Sequence, residues 1–116
     1  MKTVLLGKTK NFFKANLHMH TTISDGQMTP EEVKEAYRSN GYSIVAFTDH
    51  DVMVPHNDLT DKEFLAVTSC EMEINQPNPE NDFSLISTYH LNFFSKDPGA
   101  ETLPCFSQRY VWLAHS

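Results

Sequence analysis

Ser43-Ile44-Val45-Ala46-Phe47-Thr48 is the stretch that decides the fold. Its four consecutive apolar residues show no polar alternation. A short run of this kind reads as a strand covered on both faces, the signature of a parallel sheet. Immediately before it lies a helix with clear ends. Thr29 is placed to N-cap, Pro30 takes the first helical position, and Glu32 closes a capping box. Val33, Ala36 and Tyr37 supply the buried stripe, and Gly41 after Asn40 stops the helix. The spacing therefore predicts a helix over 30–40 that feeds the buried strand. Further out, residues 11–18 (NFFKANLH) predict a first strand and residues 64–74 (FLAVTSCEMEI) a third. A turn cluster, Gln76-Pro77-Asn78-Pro79-Glu80-Asn81-Asp82, separates the third from a fourth strand over 84–95 (SLISTYHLNFFS), in position to pair as a hairpin. A weaker helix start sits around Leu59-Thr60-Asp61, inside the polar loop 49–62. This order of elements is that of an α/β layer fold, in which function gathers beyond the carboxyl ends of strands.

The chain has 116 residues, 40% hydrophobic and 21% charged, which suits one small globular domain spanning 1–116. The formal charge of −6 argues against a non-specific grip on nucleic acid. Cys70 and Cys105 lack zinc-finger or redox spacing and are expected to be free thiols in a reducing cytosol. Val4-Leu5-Leu6 is too short for a signal core, and no apolar run is long enough to span a membrane. A cytoplasmic location is expected, with no membrane partner.

Four places carry chemistry. His18 and His20 stand two apart at a strand end, so both imidazoles point to one side and can reach one ion. His-x-His alone describes surface histidines equally well. Ser24-Asp25-Gly26 follows, and the glycine is expected to permit a tight turn that aims Asp25 back into the site. Thr48-Asp49-His50-Asp51 delivers a histidine between carboxylates, either of which could accept its second N–H. Glu71 and Glu73 share one face at the end of an apolar strand, where a carboxylate is costly unless paired or metal-bound. His90 lies within the fourth strand, where a lone histidine is ordinarily a core residue with one hydrogen bond. Placed together at consecutive strand ends, these residues no longer look scattered.

NLHMHTTISDGQMTPEEV, AFTDHD, CEMEI and YHLNFF resemble successive motifs of the polymerase and histidinol phosphatase (PHP) superfamily. The resemblance covers about residues 11–95. It implies a distorted (β/α)7 TIM-like barrel, here partial, and a site of two or three divalent ions that hydrolyses phosphoesters. Carried over residue by residue, His18 and His20 would hold the first ion and Asp25 and His50 another. Glu71 would bridge, and His90 would join the cluster. Glu73 and Asp49 would sit behind these ligands. His56 is expected to be a solvated loop histidine and Lys96 a surface lysine. Zinc and manganese are the leading metals, with iron possible, because the ligands mix imidazole and carboxylate without thiolate.

Complete members of the family are about twice this length, as a barrel of seven or eight units requires. His115 is the sole later histidine, and nothing around it resembles the missing motifs. The chain is therefore expected to be truncated in its C-terminal half, or to be part of a composite barrel, and to be weak or inactive alone. An open edge would invite self-association. The expected function is metal-dependent hydrolysis of a small phosphorylated metabolite or nucleotide, with the ions polarising the phosphoryl group and supplying hydroxide near neutral pH. Two alternatives stand beside it. One is a non-catalytic metal-binding or interaction fragment. The other is a PHP exonuclease module, against which the acidic balance argues.

Overall fold

The computed structural model of the chain describes residues 11–76 and 87–105. Four strands and one helix build a mixed α/β fold: β1 (Lys14–Met19), α1 (Pro30–Ser39), β2 (Tyr42–Phe47), β3 (Leu65–Gln76) and β4 (Ser87–Phe94). The strands form one curled, half-barrel sheet in the order β1-β2-β3-β4. β1, β2 and β3 run parallel, and β4 returns antiparallel to β3, as the hairpin reading expected. A full barrel is not present among the described residues.

The helix forms as its sequence directs. Thr29 Oγ1 accepts from the Glu32 N–H at 3.2 Å, and Glu32 Oε2 accepts from the Thr29 N–H at 3.0 Å, which satisfies two otherwise orphaned donors. Gly41 follows at φ 85°, a left-handed conformation that glycine adopts without steric cost. The buried face of α1 is Val33, with Tyr37 partly buried beside it. They pack with Val45, Phe47, Leu59, Phe64 and Ala66 into one core. A smaller core, Met53, Cys70 and Met72 with Phe93, Ala100 and Leu103 against it, lies behind the far half of β3.

Most boundaries move by a residue or so, β2 for instance covering Tyr42–Phe47, and three departures are larger. Asn11, Phe12 and Phe13 precede β1 rather than belonging to it, and Phe12 and Phe13 lie exposed. The start signal near Leu59-Thr60-Asp61 yields no α-helix; a single 3-10 turn covers Asn57–Leu59. Asp61 does accept from the N–H groups of Glu63 and Phe64, as a cap would, but Phe64 is drawn into the core and β3 begins one residue later. β3 runs on to Gln76 because it has two partners in succession. Residues 65–68 pair with β2 and residues 69–76 with β4. Residues 84–86 of the expected fourth strand lie outside the described residues.

Candidate metal centre

The parallel strands aim their carboxyl ends at one place. β1 is locked to β2 there by the Thr48 N–H donating to Met19 O at 2.8 Å and the Met19 N–H donating to Thr48 Oγ1 at 3.0 Å. This fixes His18 and His20 on either side of Met19. His50 follows β2 and forms a parallel bridge with Glu71 of β3. β4 brings His90 opposite Glu73 in the antiparallel register. All six residues expected to be ligands therefore meet in one cluster, around a Glu71 side chain that is 3% exposed.

The spacing within the cluster is that of a ligand shell. His18 Nε2 and His20 Nε2 lie 3.1 Å apart, and each stands 3.0–3.1 Å from an oxygen of Glu71. In a tetrahedral site with nitrogen ligands about 2.0–2.1 Å from the ion, ligand atoms lie roughly 3.3 Å from one another. Two further groups share these residues. Asp25 lies 2.7 Å from His20 Nδ1 and 3.1 Å from His50 Nε2. Glu71 Oε2 lies 3.2 Å from His50 Nδ1 and 3.5 Å from His90 Nδ1. Three sets could thus each hold a metal ion: His18, His20 and Glu71; His20, Asp25 and His50; and His50, Glu71 and His90.

Two buried atoms test the fit. His50 Nδ1 and Glu71 Oε2 are shielded from solvent, face each other, and still make no hydrogen bond of acceptable geometry. Such atoms are costly in an apo fold, and a cation between or beside them removes the cost. The donor set of imidazole and carboxylate suits zinc, manganese or iron.

The imidazoles also link the sets. His20 turns Nε2 toward His18 and Glu71, while its Nδ1–H donates to Asp25. A metal-binding histidine characteristically gives its second N–H to a carboxylate in this way, which fixes the tautomer. That hydrogen bond holds the Asp25 carboxyl below its ordinary value. Desolvation works against it, and the neighbouring His50 and His20 imidazoles add to the lowering.

Several side chains depart from expectation. Asp49 accepts no imidazole N–H; its buried carboxylate takes hydrogen bonds from Thr21 and Ser24. Gly26 has no positive φ. What requires glycine is close approach, because a Cβ there would stand 2.3 Å from His20 O. His56 is buried at 6% exposure, its ring 4.6 Å from that of Phe47, and burial pushes its pKa below the ordinary histidine value. Glu73 does stand behind the cluster, 3.9 Å from His90 Nε2, and Lys96 is exposed after β4. Thr21 carries no chemical signal of its own in the sequence, and it is the burial it shares with Asp49 that joins the two.

Comparison with known proteins agrees with this geometry. Residues 16–100 match the family model for the PHP domain. The chain belongs to the PHP domain family. A stretch of 37 residues is 49% identical to the DNA polymerase/3'-5' exonuclease PolX of Bacillus subtilis (strain 168). That stretch is 32% of this chain and 6% of the relative's length. PHP domains are metal-dependent, and membership suggests phosphoesterase-type hydrolytic activity for the residues that meet around Glu71. Among the described residues of this PHP domain no helix is long and apolar enough to cross a membrane.

Proposed function

We propose that this PHP domain is a metal-dependent phosphoester hydrolase acting on a small phosphorylated metabolite or nucleotide. The observation that carries the reading is the buried Glu71 carboxylate, within 3.5 Å of His18, His20, His50 and His90. His18, His20 and Glu71 would hold one ion, Asp25 and His50 would hold a second, and His90 would join Glu71 in the shared part of the cluster. Zinc or manganese is the proposed metal, two or three ions per site. Ions bound there supply Lewis acidity toward a phosphoryl oxygen and acidify water near neutral pH. Among the described residues no Lys or Arg forms an ion pair with the cluster carboxylates, whose partners are histidines. Lys34 pairs with Asp61, Arg38 with Glu35, and Lys14 lies over the Tyr42 ring. A distorted (β/α)7 barrel is the architecture proposed for the complete domain. The exposed Phe12, Phe13 and Leu17 beside the β1 edge support self-association.

The test is metal analysis of chain purified without chelator, followed by phosphate release from a monoester panel with added Mn2+. Bound transition metal that falls in His18→Ala is expected of the chain alone, with little phosphate release, and release that chelator abolishes is expected of a complete barrel domain. No bound metal, or release that resists chelator, would overturn the reading.

The similarity to PolX favours a second reading, an exonuclease acting on nucleic-acid phosphodiesters. Release of mononucleotides from an oligonucleotide 3' end, with monoesters untouched, would select it over the first.

A further inference from the structure

The Asp49 side chain is a carboxylate buried to 3% exposure with no Lys or Arg beside it among the described residues. Three donors hold it instead. The Thr21 N–H and the Ser24 hydroxyl donate to Oδ1, both at 2.7 Å, and the Thr21 hydroxyl donates to Oδ2 at 2.9 Å. Thr21 is fully buried, and its Oγ1 accepts in turn from the Ile23 N–H at 3.1 Å. A buried anion held by neutral donors is stable only while all of them stay in place. The three donors all belong to the turn that connects His20 to Asp25. Asp49 itself is the residue before His50, and its carbonyl accepts the Glu71 N–H at 3.1 Å.

We infer that Asp49 is a positioning residue that holds the Thr21–Ser24 turn against the end of β2, and thereby sets Asp25 opposite His50. The inference rests on the metal-centre reading above. It assigns the role to one half of the site. His18 and His20 are placed by the pairing of β1 with β2 through Met19 and Thr48, which the Asp49 side chain does not touch. Asp25 has no such anchor. It is exposed, and its described side-chain contacts are His20, His50 and a long 3.3 Å bond from the Ser24 hydroxyl. Without Asp49, the turn keeps its internal backbone hydrogen bonds but loses the side chain that holds it to the end of β2, and Asp25 drifts from His50 while His18, His20 and Glu71 stay together.

A Co2+ titration of the full chain, followed by visible absorption, tests this. His18→Ala and His50→Ala assign the binding phases. Asp49→Ala is expected to weaken the His50-dependent phase about 10–100-fold, the usual effect of losing an outer-shell partner, and to leave the His18-dependent phase within about 3-fold. Asp49→Asn keeps an acceptor for the Thr21 N–H and the Ser24 hydroxyl, so it should recover most of the loss. If Asp49→Ala does not fold, Ser24→Ala removes one of the three donors and should weaken the same phase by about 3–10-fold. Equal weakening of both phases, or no weakening of either, would overturn the positioning role and leave the metal centre standing. A wild-type chain that binds no Co2+ would overturn the metal centre, and the role of Asp49 with it.

Discussion

His50 and Glu71 are tied through the backbone, and their side chains stand 3.2 Å apart. The Asp51 N–H donates to Glu71 O at 2.9 Å, and the Glu71 N–H donates to Asp49 O at 3.1 Å. The two bonds bracket His50. Asp51 takes φ 53° to make the first of them, in the left-handed region that Asp visits more readily than most residues.

Glu71→Gln should therefore be a clean probe of the metal site. The backbone bridge is untouched, and the amide fills the same volume. The chain should fold with a melting temperature close to wild type, because removing a buried charge from an ion-free site costs little. Metal content should collapse by more than the roughly 10–100-fold typical of an outer-shell partner. Metal-to-protein ratio after dialysis checks both halves of the statement.

Two glycines should answer the same substitution differently. Gly26→Ala would place a Cβ 2.3 Å from His20 O and 2.7 Å from Thr21 N, both backbone atoms that cannot swing away. About 1–3 kcal/mol of stability should be lost, as in other overpacked sites, and metal affinity with it. At Gly41 a Cβ meets nothing within 4 Å, and the cost arises only from φ 85°. Gly41→Ala should cost about 1–2 kcal/mol and leave metal affinity unchanged. Denaturant melts paired with Co2+ titration separate the two.

His56 should make the fold acid-sensitive. Burial lowers its pKa below the reference value of 6.5, so the folded state prefers the neutral ring. Below 6.5 the unfolded chain takes up a proton that the folded chain resists, and stability drops as pH falls. Above 6.5 the contribution is complete and flat. In chelator, the melting temperature of His56→Phe should fall less steeply between pH 7.5 and pH 5.5 than that of wild type, on the order of a histidine's titration range. Equal slopes would remove His56 as the cause.

The cysteines should react unequally. Cys70 is fully buried, and desolvation pushes its thiol up to about 11, whereas Cys105 is exposed. Iodoacetamide near neutral pH should label Cys105 in the folded chain and reach Cys70 only after denaturation, as mass spectrometry of the peptides would show.

Much of this molecule is legible in the sequence because its signals are local. The capping box, the Ile44–Phe47 run and the two-residue spacing of His18 and His20 each state their structure within a few positions. The β3–β4 pairing follows from two apolar runs around a turn cluster. The partners of Asp49 are illegible for the opposite reason. Its donors lie 25 and 28 residues away, and nothing local says that Thr21 will be buried facing it. The burial of His56 is illegible likewise, since the ring of Phe47 that covers it comes from the preceding strand. The requirement for Gly26 was recognised but assigned to backbone conformation, where the fold makes it a matter of space. The second partner of β3 extended that strand past its apolar end.

That extended strand has a further consequence. Along residues 70–73 alternate side chains serve two unrelated purposes: Cys70 and Met72 fill the small core, and Glu71 and Glu73 face the histidines. The chemistry of the site is thus written as parity. Deleting any one residue between Thr68 and Glu71 would leave composition and hydropathy almost unaltered, yet present Met72 to the imidazoles and drive two carboxylates into the core. This part of the chain tolerates exchange of residues of like kind far better than any change in their count.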